Sequence, residues 1–154
     1  MKTTVPKGGF RMKNILIPID GSETSMKAVE AGKNLAKYVG SKVTILNVVP
    51  LGWDQGIGEI DYVYVSMVPD EITKYSLEML KKAEAMFDGM DNQVVTESIY
   101  GNVVDTILDY ANAHGIDLII MGSHGLGALK NRIMTGSVTT KVLHHTDVPV
   151  LVVK

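Results

Sequence analysis

Residues 118–138 read LIIMGSHGLGALKNRIMTGSV, and the fold turns on how they are divided. Leu118 to Met121 is a short apolar run, the chain then breaks at Gly122, Gly125 and Gly127, and Gly136-Ser137 precedes a helical pattern. The spacing predicts strand, glycine loop, helix. Glycines without a Cβ let backbone come close to a ligand, and a helix starting at Ser137 leaves N–H groups that no carbonyl of its own helix can accept. Such a site suits a phosphate. Glycines alone are equally consistent with a tight turn, so the remainder of the chain has to decide.

Working outward, Asn14 to Ile19 is a branched apolar run ended by Pro18, Asp20 and Gly21, too short for a helix and typical of a buried parallel strand. Ser22 or Thr24 can cap a first helix that Gly40 closes. Val43 to Val49 is a second buried strand. From Asp70, the spacing of Ile72, Tyr75, Met79, Leu80, Ala83, Met86 and Phe87 predicts a long amphipathic helix ending near Gly89. Gln93 to Ile99 mixes valine with polar residues, as a sheet edge does. A third helix follows Gly101-Asn102 and stops at Gly115. After the glycine stretch, Val138, Val142 and Leu143 mark a short fourth helix, and Val148 to Val153 a last strand.

Strands alternating with helices, the strands nearly continuous apolar runs, predict a doubly wound α/β fold: a five-stranded parallel sheet with helices on both faces. In the order 3-2-1-4-5 the switch point lies between strands one and four, where ligands bind beyond the carboxyl ends. Asp20 and the glycine stretch both fall there. The segment from Leu51 to Pro69 is long for a loop and apolar, with Ile60, Tyr62, Tyr64 and Met67 in a strand-like alternation. It suggests a cover for the core, a small hairpin, or a contact with a second subunit.

The 154 residues, 45% hydrophobic and 21% charged, are those of a globular domain, with residues 1–11 as an arm or expression remnant and 12–154 as the domain. A net charge of -2 supplies no overall footprint for nucleic acid or an anionic membrane. The absence of cysteine excludes disulfides, thiolate metal sites and thiol nucleophiles. No apolar run reaches the roughly 18 residues of a membrane span, and the start lacks the apolar middle of a signal peptide, so the expectation is a cytoplasmic protein.

The motifs NILIPIDGSETS, VTILNVV, DLIIMGSHG, TGSVTTKVL and VPVLVVK together resemble the universal stress protein family over Met12 to Lys154. Its nucleotide-binding branch carries G-x-x-G, nine residues, then Gly followed by Ser or Thr. Gly122, Gly125 and Gly136-Ser137 match this pattern, with ten residues in the interval. An extra residue in irregular backbone is cheap to absorb, whereas within a helical turn it would rotate the residues after it by about 100°. With both anchoring ends intact, retention of phosphate binding is the expectation.

The resemblance implies ATP as ligand, with AMP or ADP as alternatives and Mg2+ or Mn2+ accompanying ATP. It also implies a homodimer, through the last strand at Val148–Val153, to which the apolar Leu51–Pro69 loop is a further candidate contact by its own pattern. The implied nucleotide-binding residues are Pro18, Ile19, Asp20, Val48, Met121, Gly122, Ser123, His124, Gly125, Gly136, Ser137 and Val138. By this likeness Asp20 faces the ribose, the backbone around Val48 meets the adenine edge, Gly122 and Gly125 let the chain pass close to ribose and phosphate, and Gly136, Ser137 and Val138 present N–H groups and a hydroxyl to the phosphates. Each position also has a purely structural use, as helix cap or core. Lys130 and Arg132 have the right charge for phosphates, as would any solvated cation.

For catalysis the sequence offers little. There is no P-loop GxxxxGKS/T, no kinase signature, and neither SGGxDS nor HxGH of adenylate-forming and nucleotidyl-transferring enzymes. His114 ends a helix, while His144 and His145 are adjacent and point apart, which leaves His124 as the one histidine placed for chemistry, and the resemblance gives it the role of fixing the loop's shape instead. The expectation is therefore a nucleotide-dependent regulatory protein with no dedicated catalytic residues, no metal-ligand cluster of its own, and slow ATP hydrolysis at most. The alternative is a dimeric stress or scaffold protein of the same fold with an empty crevice.

Overall fold

The computed structural model describes residues 12–50, 69–90, 93–125 and 136–154. Expectations for the N-terminal arm, for Trp53 and the run from Ile60 to Met67, and for Gly127, Lys130 and Arg132 lie outside the described residues.

Among the described residues, five strands and four helices alternate. They are β1 (Asn14–Pro18), α1 (Glu23–Val39), β2 (Lys42–Pro50), α2 (Pro69–Ala85), β3 (Val94–Gly101), α3 (Val103–Ala113), β4 (Leu118–Gly122), α4 (Ser137–His145) and β5 (Val150–Val153). All pairings are parallel, in the order β3-β2-β1-β4-β5. This is the doubly wound sheet that the apolar runs predict, with the reversal of order between β1 and β4.

Alternation along the strands divides the core into two layers. Ile15, Ile17, Val43, Ile45 and Ile120 face one side and pack on Ala28, Val29 and Ala36 of α1 and on Met79, Leu80 and Ala83 of α2. Leu16, Leu46, Val48, Ile119 and Met121 face the other and pack on Ile107, Tyr110 and Ala111 of α3 and on Val142 of α4. Gly32, at the middle of α1, has no room for a Cβ because Ile17 and Ile120 press against it. The helix can therefore lie close on the sheet.

The helix ends follow from their residues. Ser22 caps α1 by accepting from the Ser25 N–H at 3.2 Å, and Gly40, left-handed at φ 75°, closes it. Asn102 caps α3 in the same way through the Asp105 N–H at 3.1 Å. At the start of the sheet, the Asp117 carboxylate accepts the N–H groups of Lys13 and Asn14 at 2.8 and 2.9 Å and aligns β1 beside β4.

Two expectations need correction. The regular part of α2 ends at Ala85 rather than near Gly89, because Met86 and Phe87 bond back three residues in a tightened last turn. The last strand begins at Val150, not Val148: the Val148 N–H is taken by Thr146 Oγ1 at 3.0 Å, and Pro149 has no N–H to give a ladder. α4 begins at Ser137, where the helix start was expected, and the cap position before it falls to Gly136, which has no side chain to cap with. No helix among the described residues is long and apolar enough to cross a membrane.

Candidate functional site

β1 ends at Pro18, opposite Leu46, whereas the neighbouring β2 continues to Pro50, so the carboxyl end of β1 stops short of its neighbour's. The Ile19 N–H reaches the Leu46 carbonyl at 2.8 Å as the last bond on that side of β2 before the chain turns at Asp20. In a strand the N–H and C=O of alternate residues point the same way. Lys42 bonds to Lys13, and Leu46 to Ile19, so Val48 directs its N–H and C=O over the end of β1. Its side chain lies in the α3/α4 layer.

The turn after β1 and the turn after β4 are fastened to each other. His124, about a hundred residues away in sequence, offers its carbonyl to the hydroxyls of Ser22, at 3.3 Å, and of Thr24. Thr24 Oγ1 also lies 3.4 Å from the His124 N–H. One oxygen of the Asp20 carboxylate accepts the Ser22 N–H at 2.9 Å. The other faces Gly125, where a Cβ would stand 2.8 Å from it. A side chain at position 125 would thus displace the acid.

Gly122 has a different neighbour. A Cβ there would lie 2.6 Å from the Thr24 carbonyl carbon and 2.7 Å from the Ser25 nitrogen. Those are backbone atoms of the first turn of α1 and cannot step aside as a side chain would. The glycine at the end of β4 is required by packing against α1, whatever ligand comes near. Ser123 is buried, donates its N–H to the Val153 carbonyl at 2.7 Å, and holds His124 Nδ1 through its hydroxyl at 2.7 Å. Met121 lies in the core beside Val152, and Pro18 and Ile19 are buried at the end of β1.

The far end of the glycine stretch returns to the same place. The Gly136 N–H donates to the Ser123 carbonyl at 2.6 Å, and a Cβ on Gly136 would be 3.5 Å from His124 Cα and 3.6 Å from the Gly125 nitrogen. The Gly136 N–H, expected to face phosphates, is thus engaged in closing the loop. What α4 offers beside the turn are the Ser137 and Val138 N–H groups, which have no acceptor within their own helix. The Ser137 side chain is exposed and Val138 packs partly into the α3/α4 layer. Thr139 ties the helix down by donating its hydroxyl to the Gly122 carbonyl at 2.9 Å.

The three remaining histidines are elsewhere. His114 stacks on Tyr110 and bonds its carbonyl through Nδ1 at 3.0 Å, and His145 Nδ1 lies 2.7 Å from the Lys141 carbonyl. His144 is exposed. Among the described residues no three His, Cys, Asp or Glu side chains gather as a metal would need.

Thr24, Asn47 and Thr139 hold the turns after β1 and β4, and the sequence assigns them no role beyond a cap at Thr24. Asn47 had a readable signal: a lone amide in the apolar strand VTILNVV. Thr24 and Thr139 had none, since exposed helix starts commonly carry threonine.

A family model described as the universal stress protein family matches residues 12–154. Universal stress protein YxiE of Bacillus subtilis is 33% identical over 147 residues, covering 91% of this chain and 97% of that one. Universal stress protein UspA from Lactobacillus plantarum superposes with a TM-score of 0.79 at 28% identity, over 94% of this chain and 99% of that chain. The fold also matches, at 18% identity and TM-score 0.67, a universal stress protein from Archaeoglobus fulgidus in complex with dAMP, over 94% of this chain and 99% of that one. A universal stress protein in complex with cAMP matches at 21% identity and TM-score 0.66, over 93% and 97%.

Proposed function

The chain belongs to the universal stress protein family, and we propose that it is a cytoplasmic regulatory protein that binds an adenine nucleotide, ATP foremost, between the Asp20 turn and the Gly122–Gly125 turn. The reading treats residues 12–154 as one nucleotide-binding domain. It is carried by the 2.6 Å bond from the Gly136 N–H to the Ser123 carbonyl. That bond unites the two halves of the glycine pattern although ten residues separate them instead of nine.

The groups around the crevice fit the chemistry of such a ligand. A carboxylate oxygen at Asp20 is the acceptor that ribose hydroxyls need. The Val48 N–H and C=O, directed past the end of β1, offer the donor and acceptor that an adenine edge matches. The helix start at Ser137 and Val138 combines amides and dipole for phosphates. Pro18, Ile19, Met121, Ser123 and His124 form the floor and walls. Two proteins of the same fold hold adenine mononucleotides, cAMP and dAMP. Mg2+ or Mn2+ would be carried by the phosphates, and turnover of ATP would be slow, since among the described residues no cluster of His, Cys, Asp or Glu gathers around Asp20.

Calorimetric titration of the full chain with ATP, ADP and AMP tests the proposal. Saturable heat with a rise in melting temperature is expected. No heat and no thermal shift with any of the three would leave the dimeric scaffold with an empty crevice. Mass spectrometry of the ligand that copurifies would identify the nucleotide.

We also propose a homodimer through β5. The strand is a sheet edge whose Leu151 is 42% exposed, and such an edge invites a second chain. Light scattering that gives a monomer at micromolar concentration would refute it.

A further inference from the structure

The turn that carries Asp20 is held from below by a line of hydrogen-bonded polar groups, buried at Asn47 and Ser76 and reaching the surface at Ser98. Ile19, the residue before Asp20, has both its backbone groups tied to consecutive residues of β2. Its N–H goes to the Leu46 carbonyl at 2.8 Å, and its carbonyl accepts from Asn47 Nδ2 at 2.9 Å. Asn47 is 1% exposed, within a strand otherwise apolar at that end. Its orientation is set on the other side, where Oδ1 accepts the Ser76 hydroxyl of α2 at 2.7 Å. Ser76 is itself fully buried and lies 2.8 Å from Ser98 Oγ on the edge strand β3. The line therefore runs from β3 through α2 and β2 to the residue preceding the acid.

An amide is the side chain that this position demands. Ile19 presents a carbonyl and needs a donor, while Ser76, donating, needs an acceptor; Asn supplies one at each end of a single planar group. An aspartate of the same shape would set a carboxylate oxygen against the Ile19 carbonyl. A leucine would leave both groups buried without these partners. The next residues of the turn lean on the same helix: Gly21, at φ 85°, has Tyr75 Oη where a Cβ would be 2.9 Å away, with Met79 Sδ at 3.4 Å. α2 thus meets the turn both by hydrogen bonding, through Asn47, and by direct packing.

We propose that Asn47 is a positioning residue of the nucleotide site, oriented by Ser76, and that it sets the Asp20 carboxylate at the distance from which it grips the ribose hydroxyls. The inference rests on the reading of the crevice as a nucleotide site and adds a specific prediction to it. If Asn47 acts through Asp20, its loss affects only a ligand that has ribose hydroxyls for Asp20 to accept from.

The experiment is titration of the full chain with ATP and with 2′,3′-dideoxy-ATP, in the parent protein and in the variants Ser76→Ala and Asn47→Asp. The parent should prefer ATP. Each variant should bind ATP about five- to tenfold more weakly, the loss expected for one buried hydrogen bond, while its affinity for dideoxy-ATP stays near the parent value. In the Asp20→Asn background the same variants should add little further loss, because coupled residues are not additive. If Asn47→Asp fails to fold, Ser76→Ala carries the test alone. A fall in melting temperature with the ratio of the two affinities unchanged makes the pair merely structural and overturns the inference, while leaving the nucleotide reading intact. A parent protein that binds neither compound overturns the nucleotide reading, and the inference falls with it.

Discussion

Among the described residues, two polar bridges cross the apolar layers, and they end in different places. On the α1/α2 face, Ser98, Ser76 and Asn47 lead to the Ile19 carbonyl, one residue from Asp20. On the α3/α4 face, Tyr110 donates its hydroxyl to Glu97 Oε1 at 2.7 Å, and its ring stacks on His114 with centroids 3.8 Å apart. This second bridge joins α3 to the edge strand β3 and touches neither turn of the crevice. The first satisfies the buried Asn47 and Ser76, which would otherwise be costly, and the second satisfies the part-buried Tyr110 hydroxyl. The first is in a position to change a ligand's affinity, because its far end is the turn that holds the acid; the second can act only on stability.

The largest effect should come where the crevice itself rests on α1. Gly122→Ala drives a methyl into the backbone of Thr24 and Ser25, and we expect a loss of about 3 kcal/mol, at the upper end for overpacking, together with loss of nucleotide binding. Thermal melting checks it. A parent-like melting temperature would show that the close approach at Gly122 is not rigid.

A smaller effect is expected at the clasp between the two turns. Thr24→Val keeps the shape but removes the hydroxyl from the His124 carbonyl, which should lower stability by about 1 kcal/mol and weaken ATP about fivefold. Denaturant unfolding beside calorimetry separates the two consequences. Stability lost without affinity would move the clasp into the same class as the Tyr110 bridge.

Tyr110→Phe should change least at neutral pH, by about 1 kcal/mol or less, with ATP affinity unaltered. Its signature lies at alkaline pH. Burial, and next the hydrogen bond to Glu97, push the Tyr110 phenol up to about 12, outweighing the opposing hydrogen bond from Thr44. Because the folded value is above the ordinary one near 10, its contribution is full below pH 10 and is lost as pH rises through 12. The stability gap between parent and variant should therefore narrow over that range in denaturant titrations. Weakened ATP binding by Tyr110→Phe would break the distinction between the two bridges.

Much of the architecture was legible because its signals are local. The glycine at position 40 ends α1 as a left-handed cap, Asn102 opens α3, and the polar mixture of Gln93 to Ile99 marks the edge strand that β3 proves to be. The errors occurred where a local pattern competed with a hydrogen bond that it cannot display. The apolar run from Val148 looks like strand, yet the Thr146 hydroxyl takes the first N–H. The Gly136 amide looks free for a ligand, yet the Ser123 carbonyl holds it.

The crevice was legible at its ends and not in its construction. Asp20 and the glycines stand out by composition, whereas the reason for Gly122 lies in α1, and the partners of Asn47 lie in β1 and α2. The sequence by itself determined the order of elements, the parallel sheet and the pair of strand ends that meet at its switch point, because strand and helix periods and turn residues act over a few positions. Only the tertiary structure decided which glycine serves packing and which faces the acid. It likewise decided that the ten-residue interval still closes on Ser123, and that a lone asparagine in an apolar strand supports the turn at Asp20. Those outcomes depend on contacts between residues tens to a hundred positions apart, whose geometry exists only once the sheet has brought them together.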